Sequence, residues 1–450
     1  MRTFPDGFLW GAATSAYQIE GSPEADGKGE STWDRFAHLS GTILDGSTGD
    51  VACDHYRRWQ EDVTVMADLG LKAYRFSVSW PRIQPTGRGP ANSAGLDFYG
   101  RLVDGLLEAG IEPVVTLDHW DLPLALEDGG GWTERTTAAA FADYAAIVAG
   151  RLGDRVRRWI THNEPWVVAN RGYLDGTKPP GRTDGAAKVL ASHHLLLSHG
   201  LAVPAIRAAV PDGEVGITLN LSPVVAASDD PADRDAARRF DGDLNRWYLD
   251  PLSGFGYPPD VVGDYSAAGW LPAGLDFVHD GDLDTIEAPT DFLGINYYER
   301  HIMRSVQAVE PVEVEIPADA EITEMGWEVY PLGLADILVR VYHDYRPSKI
   351  YVTENGCSYL DGPGPDGAIH DERRVRFLDG HLAAAGDAID AGVPLGGYFV
   401  WSILDNFEWT FGYTQRFGIV WVDYDTQERV LKDSALWYRD VIARNGLPAA

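Results

Sequence analysis

The chain is expected to fold as a closed (β/α)8 barrel, and three features of the sequence lead there. Eight short β-branched or aromatic runs recur along the 450 residues, and segments of helical periodicity separate them. No G-x-G-x-x-G follows any run, whereas an open, doubly wound sheet normally carries a glycine-rich turn after its first strand. Length alone leaves the domain count open, because α/β barrels run long as single units.

The runs lie at 8–17, 73–80, 112–120, 158–165, 214–221, 291–298, 349–355 and 395–402. The first is aromatic-rich and is followed by a helical pattern over 56–69. The second leads to a helix over 95–109, the third to one over 138–152, and the fourth, closed by Pro165, to one over 186–210. The sixth precedes a helix over 331–345 and the seventh a helix over 371–391. The acidic stretch 307–324 reads as a long loop between two units. Gly27-Lys28-Gly29 superficially suggests a phosphate loop, but its glycine spacing is wrong and Lys28 is followed by Gly rather than Ser or Thr. With no linker-like tract and no internal repeat, residues 1–450 read as one α/β domain, a single TIM-type barrel with its site at the C-terminal ends of the strands.

Composition narrows the class of function. The chain is 45% hydrophobic and 11% aromatic, enough apolar surface for a large core, and disorder is excluded. A formal charge of -31 disfavours nucleic acid and anionic membrane as partners. The N-terminus lacks the apolar core and cleavage site of a signal peptide, and no run of about 18 apolar residues is free of charge, so a cytoplasmic location is expected. Cys53 and Cys357 are too few for a disulfide framework and match no zinc or redox spacing. No motif specifies an oligomeric state.

In such a barrel, functional side chains collect where strands meet the following loops. The fourth run ends Thr161-His162-Asn163-Glu164-Pro165 and the seventh ends Thr353-Glu354-Asn355-Gly356, each setting one carboxylate between an apolar strand and a breaker. Two facing carboxylates are the basic equipment for cleaving a glycosidic bond, one protonating the leaving oxygen and the other meeting the charge that develops at the sugar carbon. At the separation of about 5.5 Å that a retaining mechanism requires, an effective dielectric of about 20 gives roughly 3 kcal/mol of repulsion. That would raise one carboxyl by about two pKa units. Either glutamate taken alone is equally a solvated or ion-paired rim residue. Trp80, Trp120, Trp166, Trp327, Trp401, Trp409 and Trp421 fall mostly at or just after strand ends. Any single one fits a core position, but seven near one rim favour a carbohydrate site.

Ordered motifs then span nearly the whole chain, from Phe4-Pro5-Asp6-Gly7-Phe8-Leu9-Trp10-Gly11, Trp33-Asp34 and Arg75-Phe76-Ser77-Val78-Ser79-Trp80 to His119-Trp120-Asp121-Leu122-Pro123. They continue through Asn163-Glu164-Pro165, Asn296-Tyr297-Tyr298, Thr353-Glu354-Asn355-Gly356, Trp401-Ser402 and Asp405-Asn406-Phe407-Glu408-Trp409. In these the sequence resembles family 1 glycoside hydrolases, the bacterial β-glucosidases of that family in particular. The resemblance implies a retaining mechanism without cofactor, with Glu164 as acid/base and Glu354 as nucleophile. It implies that Arg75 and Tyr298 contact the nucleophile, that Asn163 binds the sugar 2-hydroxyl, and that Gln18, His119, Trp120, Asn296, Trp401, Glu408 and Trp409 complete the substrate site. Trp327 matches the aromatic platform on the leaving-group side. The implied substrates are small β-glycosides: cellobiose and aryl or alkyl β-glucosides, in keeping with cellulose degradation, with β-galactosides and β-fucosides as further candidates.

Glu408 would accept hydrogen bonds from sugar hydroxyls yet repel a 6-phosphate, so phosphorylated glycosides should be rejected. The intact Glu164 argues against the thioglucosidase branch. Asp118, His162, Arg171 and Lys178-Pro179-Pro180 depart from the residues common in relatives, and are expected behind the rim or toward the leaving group. A non-catalytic sugar-binding barrel would typically have lost one of the two glutamates. A transglycosylase would share every motif. The trio His193, His194 and His199 does not reach one helix face, so a packed or solvated helix is expected rather than a metal site.

Overall fold

The computed structural model describes residues 2–271, 273–305, 311–313 and 316–448. Eight parallel strands close on themselves. They are β1 (Leu9–Ala13), β2 (Ala73–Ser77), β3 (Glu112–Asp118), β4 (Arg158–Asn163), β5 (Glu214–Asn220), β6 (Phe292–Asn296), β7 (Ile350–Asn355) and β8 (Leu395–Trp401). Each pairs with the next, and β8 closes onto β1. Every predicted run thus holds one barrel strand, although the ends were set too wide. The first run stops being strand at Ala13, and Ala16–Ile19 is already a helical turn; the second stops at Ser77, and Trp80–Ile83 is helical.

The helices α1 (His55–Asp68), α2 (Ser93–Glu108), α3 (Arg135–Leu152) and α4 (Gly185–Ala209) follow the first four strands. Between β5 and β6 the chain forms α5 (Pro231–Asp241), α6 (Pro259–Ala267) and α7 (Asp282–Ile286), and then come α8 (Pro331–Tyr345), α9 (Glu372–Asp390) and α10 (Asp433–Arg444). Helix starts follow the capping rule: the side chain of Asn92 accepts from the Ala94 N–H at 3.2 Å, and that of Asp184 accepts from Ala186 and Ala187. Among the described residues α4 alone is long and apolar enough to cross a membrane, but 78% of its apolar window is buried inside the fold. It lies so close to α7 that a Cβ on Gly200 would stand 2.0 Å from the Thr285 carbonyl oxygen.

The barrel interior obeys the two-residue strand period. Ala73, Val114, Ile160, Phe292, Tyr351 and Phe399 point inward, while the outward Tyr74, Phe76, Val115 and Trp159 pack under the helices. The N-terminal mouth is plugged by charge, with Arg158 set between Glu112 and Glu214 and Lys349 bound to Glu214 at 2.7 Å. The C-terminal mouth is left for the site. Part of the stretch 307–324, expected as loop, is instead a strand: Pro311–Glu313 pairs antiparallel with His301–Ser305, which also pairs with Val224–Ala226. Residues 306–310 and 314–315 of that region lie outside the described residues.

Candidate active site

A cavity of about 570 Å3 opens at the C-terminal ends of the strands, within the range of small-molecule sites. Glu164 and Glu354 both line it. Strand β4 ends at Asn163, and Glu164 itself takes a left-handed backbone conformation (φ 52°) before Pro165 starts a helical turn. Such a conformation is uncommon for a residue with a Cβ and costs on the order of 1–3 kcal/mol. It is stabilised by backbone bonding, as the Glu164 N–H donates to the Thr218 carbonyl at 2.9 Å.

The two carboxyls are held differently. Glu354 receives Arg75 Nη1 at 2.6 Å on Oε1 and the Tyr298 hydroxyl at 2.7 Å on Oε2. Glu164 receives the neutral Asn296 Nδ2, at 2.7 Å. Arg75, which sits in β2 with no exposed surface, reaches Asn163 Oδ1 at 2.6 Å with its other amine and Thr116 with Nε. Asn296 also donates to Asn163 at 3.0 Å and accepts from Thr353 at 2.7 Å. One hydrogen-bonded bridge, Glu354–Arg75–Asn163–Asn296–Glu164, therefore spans four strands and fixes the separation of the carboxyls.

Burial, and next the Glu354 charge, push the Glu164 carboxyl up to about 8. The order of causes corrects the sequence reading, in which mutual repulsion alone supplied the shift. Burial raises Glu354 as well, against the pull of Arg75 and Tyr298. A cation on Glu354 and only an amide on Glu164 leave the proton of the pair on Glu164.

The remaining expected site residues divide into those that line the cavity and those that brace it. His119, Trp120, Asn296, Tyr298, Trp327, Trp401, Glu408 and Trp409 line it. Gln18 is fully buried and donates to Glu408 at 3.2 Å and to Asn406 at 3.0 Å. Asn163 lies behind His119, whose Nε2 is 3.1 Å from the Asn163 amide, and the Trp120 indole donates to the Asn163 carbonyl at 2.9 Å. Burial, then the charges of Arg75 and Lys178, keep His119 neutral. The Trp120 and Trp409 rings meet at 4.5 Å, and both residues have positive φ. Trp327 lies across the cavity, packed on Tyr298 and Phe417. Burial lifts Glu408 to about 7, against the pull of Lys178.

Two of the seven tryptophans are not at the site. Trp80 is core, stacked on Tyr144 at 5.0 Å, and Trp421 lies in a hairpin strand under Arg416. Trp166 does line the cavity, its indole donating to Asp243 at 2.8 Å. The histidines of α4 bind protein groups: His193 pairs with Tyr257 and Asp282, His194 with the Trp132 carbonyl, and His199 with Thr161. Asp118 and His162 form a buried pair behind the rim, 3.1 Å apart. Sequence reasoning missed Glu299, which lines the cavity next to Tyr298 and which burial pushes up to about 8; Lys178, expected behind the rim or toward the leaving group, lines the cavity as well. Adjacency to Tyr298 was the available signal for Glu299.

With this arrangement in view, the likeness to known proteins is specific. The model of glycosyl hydrolase family 1 matches residues 1–447. The chain belongs to that family. Beta-glucosidase A of Thermotoga maritima is 47% identical over 450 residues, 99% of each chain. A bifunctional beta-D-glucosidase/beta-D-fucosidase of Bifidobacterium breve is 45% identical over 98% of each. Among solved structures, the family 1 β-glucosidase from Thermotoga maritima in complex with isofagomine lactam superposes with a TM-score of 0.95 at 47% identity, over 99% of this chain and 100% of that one. The closed parallel barrel is thus the family 1 (β/α)8 fold.

Proposed function

We propose that the chain is a retaining β-glucosidase that hydrolyses terminal, non-reducing β-D-glucosyl residues, with Glu164 as acid/base and Glu354 as nucleophile. The observation that carries the assignment is the unequal support of two buried carboxyls, a cation and a phenol on Glu354 against one amide on Glu164. An ionised Glu354 attacks the anomeric carbon while the C1–O bond breaks and Glu164 gives its proton to the departing oxygen. The aglycone leaves as an alcohol, and an ester joins the sugar to Glu354. That ester removes the Glu354 charge, so Glu164 becomes the stronger acid and remains ionised. It then takes a proton from the water that attacks C1, and Glu354 is released as carboxylate. Two inversions leave the β-configuration unchanged.

Gln18 and Glu408, hydrogen-bonded to each other, fit neighbouring sugar hydroxyls, and Trp401 beside His119 offers an apolar face to the ring. Trp327 offers the leaving group a second face. Fucosides and galactosides are further substrates in this reading: one relative is named for β-fucosidase activity, and a solved relative is in complex with a galacto-hydroximolactam. The test is Glu354→Gly assayed on an aryl β-glucoside with and without azide. The variant should lose hydrolysis, and azide should restore turnover with an α-glycosyl azide as product. No rescue and no inverted product would remove Glu354 from the nucleophile role. Wild-type inactivity on aryl β-glucosides, galactosides and fucosides would overturn the whole reading.

A further inference from the structure

We propose that Lys178 is a specificity-determining residue of the sugar pocket, an ammonium donor to a glycone hydroxyl on the wall formed by Trp120, Trp409 and Glu408. The inference rests on the β-glucosidase reading and names a contact that the family motifs quoted above do not contain. From its sequence position Lys178 was expected behind the rim or toward the leaving group. In the structure Nζ lies 4.9 Å from the Trp120 ring centroid and 5.6 Å from those of Trp33 and Trp409, and Lys178 lines the cavity.

The loop that carries it is fixed from both sides. The Lys178 N–H donates to the Arg171 carbonyl, the Gly181 N–H donates to the Lys178 carbonyl, and Arg182 pairs with Glu127 at 2.7 Å. A Cβ on Gly172 would stand 2.7 Å from the Pro179 carbonyl oxygen, so the loop seats against the preceding helical segment. The ammonium is therefore held at the pocket wall.

An ammonium has three N–H donors. Indole faces attract the charge but supply no lone pair in the plane where an N–H bond ends. Lys178 Nζ has no hydrogen bond or ion pair to any described acceptor, whereas the other basic side chains at that side of the wall have partners: Arg171 binds Asp175 at 2.6 Å, and His301 Nδ1 lies 2.7 Å from Glu313. A cation facing a sugar pocket without an acceptor fits a ligand that brings the oxygen. That ligand is a neutral hydroxyl, because Glu408 and the ionised Glu354 line the same cavity and would repel a phosphate or carboxylate. The charged and titratable groups felt at Nζ are Glu408, Arg171, Glu164 and Asp175; burial draws the ammonium down to about 8, and Glu408 is the strongest of the charges holding it up. Its charge in turn favours the ionised forms of Glu408 and Glu164 and disfavours protonated His119.

The test compares wild type, Lys178→Met, Lys178→Gln and Lys178→Arg on 4-nitrophenyl β-glucoside and its 3-, 4- and 6-deoxy analogues, with circular dichroism to select folded variants. A hydrogen bond from a charged donor corresponds to roughly a tenfold to hundredfold change in kcat/KM. Lys178→Met or Lys178→Gln should lose that much on the parent glucoside, and Lys178→Arg should recover part of it. The loss should shrink to below about threefold on the one analogue that lacks the bonded hydroxyl. The alkaline limb of the kcat/KM pH profile should also move to higher pH in the neutral variants, since a cation that favours ionised Glu164 is gone. A loss equal on all four substrates, a loss below about threefold on the parent, or an unmoved alkaline limb overturns the inference. Wild-type inactivity on every glycoside would sink the β-glucosidase reading, and this inference with it. Activity in the wild type with equal values in the variants would sink this inference alone.

Discussion

Replacing Arg75 by methionine tests the electrostatic core of the site. The guanidinium is fully buried and donates at 2.6 Å to both Glu354 and Asn163, so methionine removes one charge and two short hydrogen bonds while keeping most of the volume. With charge centres about 4 Å apart and an effective dielectric near 20, the lost attraction is about 4 kcal/mol. That corresponds to roughly three pKa units on Glu354, upward, because the ionised form has lost its cation. Burial already raises Glu354 in the wild type, so in the variant it should be protonated at neutral pH and unable to attack C1. The assay is kcat/KM on an aryl β-glucoside from pH 4 to pH 9, with near-ultraviolet circular dichroism as the check of packing, since breaking a buried pair costs about 3–5 kcal/mol of stability. The acid limb should move up by about two to three units, with a 100-fold or greater loss near pH 6. Arg75→Lys keeps the charge without the planar fork, and should lose about tenfold while leaving the acid limb close to its wild-type position. An unmoved acid limb in folded Arg75→Met would refute the assignment of Glu354 as the group that must be ionised.

Glu164→Gln should be more thermostable than the wild type, increasingly so at higher pH. The Glu164 pKa is near 8 when folded and about 4.5 when unfolded, so between these values the native state holds a proton that the unfolded state has released, and wild-type stability falls as pH rises. Glutamine has no such dependence; a Tm difference that stays constant from pH 4.5 to 7.5 would argue that Glu164 is ionised in the native enzyme. The same titration sets the alkaline limb of wild-type kcat/KM near pH 8, visible as declining activity while the fold persists. Gly200→Ala should lower Tm by a few degrees without changing KM, because its Cβ would lie 2.0 Å from the Thr285 carbonyl and overpacking costs about 1–3 kcal/mol. An unchanged Tm in a scanning calorimeter would show that α4 and α7 can separate there.

The sequence by itself determined the eight strands, most of the helices on the barrel and the two glutamates. Those signals are local: hydrophobic period sets which faces are buried, and Pro165 or Gly356 sets where a strand stops. Strand ends ran too wide because apolar residues continue into the helical turns at Ala16–Ile19 and Trp80–Ile83, where hydropathy is the same and only backbone conformation differs. The last helix, Asp433–Arg444, and the helices between β5 and β6 went unread; Pro231–Asp241 has only alanines and Phe240 to mark its apolar face among many charges, and Pro259–Ala267 and Asp282–Ile286, after it, are short. Tertiary structure alone decided what the charges do. Arg75 and Glu354 are 279 residues apart, so whether the carboxylate has a cation, and how deeply each glutamate is buried, follow from closure of the barrel. Closure also sorted the tryptophans, sending Trp80 to the core and Trp409 to the cavity, and it turned Lys178 toward Trp120 and Trp409. The physical reason is range: backbone preference and hydropathy act over a few neighbouring residues, whereas desolvation and Coulomb energy depend on what the fold brings within a few ångströms.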